Sequence, residues 1–256
     1  MMASQNSVLI TGGAGFLGSH LAHSVLEDSR YAGMTLVILD DLSGGFLENV
    51  PPSPRIQFVN GSVTDHVLVE QLFQEHSFRF VFHLAAYAAE GLSHFIRRFN
   101  YTNNLIGSVN LVNASVRHDV QHFVFTSSIA VYGSGQVPML ESTQPQPEDP
   151  YGISKYAVEL DLKSAHEQFG LNYTVFRPHN VYGEFQNIGD KYRNVVGIFM
   201  NRIMQQQPLP VFGDGTQQRA FSYVGDLMHP MVSAPFTAGA SREVFNVGAS
   251  TPTSVL

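Results

Sequence analysis

The chain contains no cysteine in 256 residues. That excludes a disulfide framework, a thiolate nucleophile and any cysteine-based metal site. Charge is also sparse. Asp, Glu, Lys and Arg make up 14% of the residues, well below the usual quarter, and they form no run of like sign. Twenty-one acids against fourteen bases leave a formal net charge of −7 at pH 7, so neither nucleic acid nor an anionic membrane surface is an expected partner. No stretch reaches the roughly 18 apolar residues of a membrane span. Met1 to Ser7 is polar, and the apolar run Val8-Leu9-Ile10 is too short for a signal-peptide core. A cytoplasmic protein is therefore expected. Eleven histidines are present, and their spacing is read as surface or core packing, so no metal is expected.

What is there suffices for a core: 44% of the residues are hydrophobic. At roughly 150 residues per domain, the length allows one large domain or one with an appendage. Short apolar runs at 8–10, 36–39, 56–59, 80–84, 122–126 and 173–176 read as strands. Most are continuously apolar, as parallel strands buried on both faces are. Helical patterns fall between them at 15–27, 65–76, 99–117 and 151–169. This alternation predicts an α/β fold with a doubly wound parallel sheet. After Pro178 the texture changes to turn formers and short pieces, which predicts a small C-terminal lobe. A further strand is expected at 244–247. Thr251-Pro252 then reads as a helix cap with a first-turn proline, so a helix is expected to begin where the chain stops, as in a shortened chain.

Three groups of residues carry chemistry. Thr11-Gly12-Gly13-Ala14-Gly15-Phe16-Leu17-Gly18 follows the first strand and opens the first helix. Its glycines permit a tight turn and a close approach of backbone to a pyrophosphate, which the helix N-terminus attracts. Taken alone, such a loop is also ordinary turn chemistry. Asp40 ends the second strand 22 residues after Gly18, where a carboxylate accepts both hydroxyls of an adenosine ribose and repels a ribose phosphate. The expected cofactor is NAD rather than NADP. Asp41 beside it reads as surface.

Tyr151 and Lys155 lie four apart at the start of a predicted helix and share a face. An ammonium beside a phenol lowers its pKa and makes it a usable base. Ser127-Ser128 follow the fifth strand, and carboxyl ends of strands face the ligand crevice of such sheets. A hydroxyl there can donate to a substrate oxygen and relay its proton. The bland reading of either serine is a capping or turn residue.

Together with Ser127-Ser128-Ile129-Ala130-Val131-Tyr132-Gly133, Tyr151-Gly152-Ile153-Ser154-Lys155 and Arg177-Pro178-His179-Asn180-Val181-Tyr182-Gly183, these motifs resemble the extended short-chain dehydrogenase/reductase family. Within it the chain is most similar to NAD-dependent nucleotide-sugar epimerases of the UDP-glucose 4-epimerase type, from Val8 to Gly248. The resemblance implies a Rossmann-type NAD-binding domain at 1–178 and a partial nucleotide-sugar-binding lobe at 179–256. It implies Ser128, Tyr151 and Lys155 as catalytic residues, the first two also touching the sugar. Asn104 matches an asparagine that steadies the active-site helix and cofactor. Ala85 and Ala86 match small residues beside the dinucleotide, and Pro178 and His179 match backbone positions near its carboxamide. Asn180, Asn194 and Arg219 match positions that hold the substrate diphosphate. Ser62-Val63 stands where the family usually places an aspartate and a hydrophobic residue against adenine, and Ala220 replaces a commonly acidic residue. The family also continues beyond the position of Leu256 and habitually forms a four-helix homodimer interface.

The expected activity is epimerisation of a UDP-sugar at carbon 4 by transient oxidation to a 4-keto sugar. A dehydratase or decarboxylase starting with the same oxidation is an alternative, as is a dehydrogenase releasing NADH. A dinucleotide-sensing regulatory protein is the alternative of another class, and an intact Ser128, Tyr151 and Lys155 set argues against it.

Overall fold

The structure, a computed structural model, describes residues 6–135, 137–189, 195–211 and 213–254. The first half alternates as the sequence pattern predicts. It runs β1 (Ser7–Thr11), α1 (Phe16–Glu27), β2 (Thr35–Asp40), β3 (Ile56–Asn60), α2 (His66–Glu75), β4 (Phe78–His83), α3 (Glu90–Ser93), α4 (Arg97–Tyr101), α5 (Gly107–Arg117) and β5 (His122–Thr126). There follow α6 (Pro150–Phe169), β6 (Tyr173–Pro178), β7 (Val181–Tyr182), α7 (Val195–Met204), β8 (Gln218–Ala220), β9 (Ser222–Tyr223), α8 (Val224–Ser233), β10 (Glu243–Val247) and β11 (Pro252–Ser254). Among the described residues no helix is long and apolar enough to cross a membrane.

Seven strands form one parallel sheet in the order β10-β6-β5-β4-β1-β2-β3. Every residue of β1 and β5 is buried, which explains their unbroken apolar character. Two clusters cover the faces. Val69, Leu72 and Phe73 of α2 join Leu111 of α5 and Val158 and Leu162 of α6 on one side. Leu21, Ala22 and Val25 of α1 pack with Leu227, Met228 and Met231 of α8 on the other. The segment beyond Pro178 thus serves two ends. Strand β10 and helix α8 complete the large sheet and its core, while β7–β9 and β8–β11 pair outside it. The strand order reverses between β1 and β4, and there the carboxyl ends of the strands part to open a crevice.

Two sequence expectations are corrected. The helix expected at 99–117 is present without a gap from Arg97 to Arg117, but it is not uniform: a π-helical turn, Thr102–Ile106, joins α4 to α5. Asn104 causes the wider turn. Its Oδ1 accepts from the amide of Tyr87 (2.8 Å) and its Nδ2 donates to the carbonyl of the same residue (3.1 Å), pinning the helix to the loop after β4. The helix expected at Thr251-Pro252 is instead the strand β11, antiparallel to β8 with Thr253 opposite Arg219. An available edge outweighed the local capping signal.

Candidate active site

The crevice is a cavity of about 490 Å³, within the range of small-molecule sites. One end is built by the β1–α1 turn. Gly12 sits at φ +72°, and a Cβ there would lie 2.7 Å from the amide nitrogen of Ala85, so only glycine lets the turn pass under the loop after β4. A Cβ on Gly18 would collide with the carbonyl of Gly12, which seals helix onto turn. Gly15 occupies the N-cap of α1 and has no side chain to fill it. The first-turn amides are therefore left for an anion. Asp40 closes β2 beside them. Its Oδ2 accepts from the amide of Ala14 (3.0 Å) and its Oδ1 from that of Leu42 (2.8 Å), while burial raises its carboxyl above the usual range. The carboxylate thus holds the turn and keeps its remaining lone pairs on the cavity wall.

The other end is built by the start of α6. Asp149 caps the helix, accepting from the amides of Tyr151 (2.8 Å) and Gly152 (3.1 Å), and Pro150 fixes the first turn. This places Tyr151 and Lys155 one turn apart, 8% and 2% exposed. Lys155 Nζ donates to the carbonyl of Thr126 (2.8 Å) and lies 4.8 Å from the Phe125 ring centroid and 5.9 Å from that of Tyr151. Burial pushes its pKa down to about 7, and the Glu159 carboxylate one turn further on works against that fall. Ser128 Oγ accepts from the amide of Ala130 (3.1 Å), which leaves its own proton to donate.

The sequence-predicted residues fall into three sets. Gly12, Gly15, Phe16, Leu17, Gly18, Asp40, Ser62, Val63, Ala85, Ala86, Ser128, Tyr151, Lys155, Pro178 and Asn180 all line this one cavity. Asn104 is buried behind the wall, in the contact with Tyr87 already described. His179 and Arg219 are not on the wall. The His179 amide donates to the carbonyl of Val247 (3.0 Å), and its Nε2 is buried with no hydrogen-bond partner among the described residues. Arg219 is exposed on β8 and donates to the carbonyl of Gln218 (2.8 Å). Asn194 lies outside the described residues.

These residues fit a dinucleotide. An uncapped helix N-terminus beside a turn that no side chain can fill suits a pyrophosphate, and a carboxylate at the end of β2 suits ribose hydroxyls. On the catalytic side the buried Thr126 Oγ1 has no hydrogen-bond partner among the described residues and borders the cavity. Lys155 keeps two ammonium hydrogens beyond the one given to Thr126.

Two buried networks were missed in the sequence. The first crosses the strand ends. The Ala85 amide donates to Thr11 Oγ1 (3.3 Å), which contacts His83 Nδ1 (2.7 Å); His83 Nε2 contacts Ser108 Oγ (2.7 Å), which donates to the carbonyl of Asn104 (2.6 Å). The Asn104 carbonyl can only accept, so Ser108 spends its proton there and accepts from His83 Nε2–H, and in the neutral ring Nδ1 then accepts from Thr11. Burial keeps the His83 ring neutral, pushing its pKa down to about 3. In the second network Ser127 Oγ donates to Glu159, whose carboxylate accepts from Arg177 Nε (2.9 Å), and Arg177 Nη1 donates to Tyr132 Oη (2.6 Å). The available signals were slight: a charged residue closing the apolar run of β6, and a glutamate four residues after Lys155.

The neutral histidine has a consequence for stability. An unfolded histidine takes its proton near pH 6.5, the native His83 only near 3. The stability it contributes is complete above pH 6.5 and is lost as the pH falls from there toward 3. His122, pushed down to about 4 by burial, shares the window. Denaturant unfolding at pH 5 is expected to show about 2 kcal/mol less stability than at pH 7 from His83 alone. Equal stability at the two values would contradict this reading.

The sheet, the glycine turn and the Tyr151–Lys155 pair at one switch-point crevice define an NAD-dependent enzyme of the short-chain dehydrogenase/reductase class. Residues 8–248 match the NAD dependent epimerase/dehydratase family, and the chain belongs to it. It is 34% identical over 251 residues to UDP-glucose 4-epimerase of Mycolicibacterium smegmatis, covering 96% of this chain and 78% of that one. It is 32% identical over 255 residues to dTDP-D-glucose 4,6-dehydratase of Mus musculus, covering 97% and 70%. Among solved structures, UDP-glucose 4-epimerase of Thermotoga maritima with UDP-glucose superimposes with a TM-score of 0.87 at 35% identity, covering 97% of this chain and 79% of that chain.

Proposed function

We propose that the protein epimerises a UDP-sugar at carbon 4 through a transient 4-keto sugar, and that Ser128, Tyr151 and Lys155 are its catalytic residues. The observation that carries this reading is their position in one cavity with the glycine turn and Asp40. When bound, NAD supplies a hydride acceptor that gives back what it takes. The residues do the rest. Ser128 donates its free proton to the sugar oxygen and holds it against Tyr151. Tyr151, as phenolate, takes the proton of the 4-hydroxyl and later returns it. Lys155 favours the phenolate by its charge, and its two remaining hydrogens suit ribose hydroxyls. Asn180, Asn194 and Arg219 are assigned to the diphosphate, and the lobe for the nucleotide sugar to the strand pairs outside the large sheet. A homodimer belongs to the same reading. Ile153 and Leu160, seven apart on α6, are 41% and 52% exposed and present an apolar stripe to a second copy.

The likeness to the mouse dehydratase favours a second reading, in which the ketone is followed by loss of water. That step needs an acid and a base near carbons 5 and 6. By the family resemblance they stand just after the β5 hydroxyl residue, where this chain has Ile129 and Ala130, which transfer no proton. Nuclear magnetic resonance of the products from UDP-glucose decides between them. A 4-epimer with no net NADH is expected; a 4-keto-6-deoxy sugar would overturn the epimerase assignment.

A further inference from the structure

Glu90 begins α3 and lines the same cavity as Ser128 and Tyr151, yet no step above uses it. Its surroundings locate it within the site. Ser93, on the same short helix, donates to Asp149 Oδ1 (3.1 Å), the carboxylate that caps α6 directly before Pro150 and Tyr151. Glu90 therefore stands against the catalytic end of the cleft, and it feels the charges of Asp149 and of Arg219. In the proposed reading Tyr151 takes the sugar and Arg219 the diphosphate. Glu90 shares its cavity wall with Ser128 and Tyr151, so its carboxylate borders the sugar's own space. No hydrogen bond from the described residues reaches the Glu90 carboxylate, although its side chain faces the opening. Desolvation by the cleft walls raises its pKa, with Asp149 and Glu148 adding to the rise and Arg219 and His94 opposing it.

We propose that Glu90 is a specificity-determining residue that admits neutral hexoses, whose hydroxyls its carboxylate accepts, and turns away sugars that carry a carboxylate of their own. The inference rests on the nucleotide-sugar reading and extends it to the class of sugar. The physical reason is simple. Two carboxylates held side by side in one cleft repel each other, whereas a hydroxyl meets an acceptor with open lone pairs. Sugars differing only at carbon 6 are thereby separated by charge rather than by size, which a cleft open to solvent discriminates poorly.

The test is calorimetry of the NAD-loaded protein with UDP-glucose and with UDP-glucuronate, run beside product analysis. UDP-glucuronate is expected to bind at least ~30-fold more weakly than UDP-glucose, a difference of about 2 kcal/mol. In Glu90→Gln the ratio narrows by about tenfold, because the uronate gains while UDP-glucose loses a few-fold. As the pH is lowered the wild-type ratio closes and the Glu90→Gln ratio stays flat, a difference that a merely structural role would not produce. Equal affinity for the two sugars in the wild type, or an unchanged ratio in Glu90→Gln, overturns the proposal. So does failure of both to bind. Product identity bears separately on the epimerase reading: a correct ratio with a dehydrated product would leave Glu90's role standing and remove the epimerase.

Discussion

Tyr151→Phe is expected to lower turnover by about 10³-fold while the protein still holds NAD. The magnitude follows from what general acid–base catalysis supplies, on the order of 10² to 10⁴. Phenylalanine keeps the ring, which is 8% exposed in the first turn of α6, so the fold and the dinucleotide end of the cavity should survive. Lys155→Met is expected to act on both functions at once, since the proposed mechanism gives Nζ to the phenol and to the cofactor's ribose. Turnover and NAD retention should fall together. Stopped turnover with bound NAD in one variant and joint loss in the other would separate proton transfer from cofactor holding. Tyr151→Phe within tenfold of wild type would remove Tyr151 from the chemistry.

Arg177→Met is expected to cost about 3–5 kcal/mol of stability, because it strands a carboxylate in the core. Glu159 and Arg177 are 6% and 3% exposed, which leaves little solvent at Glu159 to replace the lost partner. The double variant Glu159→Leu with Arg177→Met should recover most of that loss, since removing both charges also removes the desolvation. Chemical denaturation measures all three proteins. A single-variant loss below about 1 kcal/mol would show that water enters the site. Glu159→Gln reads a second role. Burial lowers the pKa of Lys155 to about 7 and Glu159 holds it from falling further. Without that charge the ammonium is lost at lower pH, so the alkaline limb of the pH–rate profile should shift to lower pH. A purely structural Glu159 would weaken the protein and leave the limb in place.

The parts of the molecule that were legible in the sequence are those decided locally. Continuous apolar runs marked most of the strands, β1, β2 and β5 above all, because strands buried on both faces have no polar side to show. The glycine turn and Asp40 were legible because the backbone geometry they serve tolerates few substitutes. Asn104 and its neighbours read as ordinary helix, since what widens the turn there is a contact with Tyr87 across the fold. The ion pair was hidden for a similar reason: Glu159 and Arg177 are 18 residues apart, on a helix and a strand that only the packed sheet brings together. Strand β11 failed in the opposite sense. Its local signal was clear, and the free edge of β8 outweighed it.

The place of β10 beside β6 sets an order of events during synthesis. Strand β6 has its β5 partner already made before it, but its other edge waits for residues 243–247. Until they arrive, the backbone groups of one strand of a nearly finished sheet are bare, and Phe176 lacks the ring of Phe245 that stacks on it at 5.8 Å. Helix α8 is made only slightly earlier, so the apolar face of α1 waits for residues 224–233 before it is covered. Residues 224–247 therefore close gaps left by residues 16–27 and 173–178, and the interval between them is when a growing chain is exposed to pairing with another copy of itself.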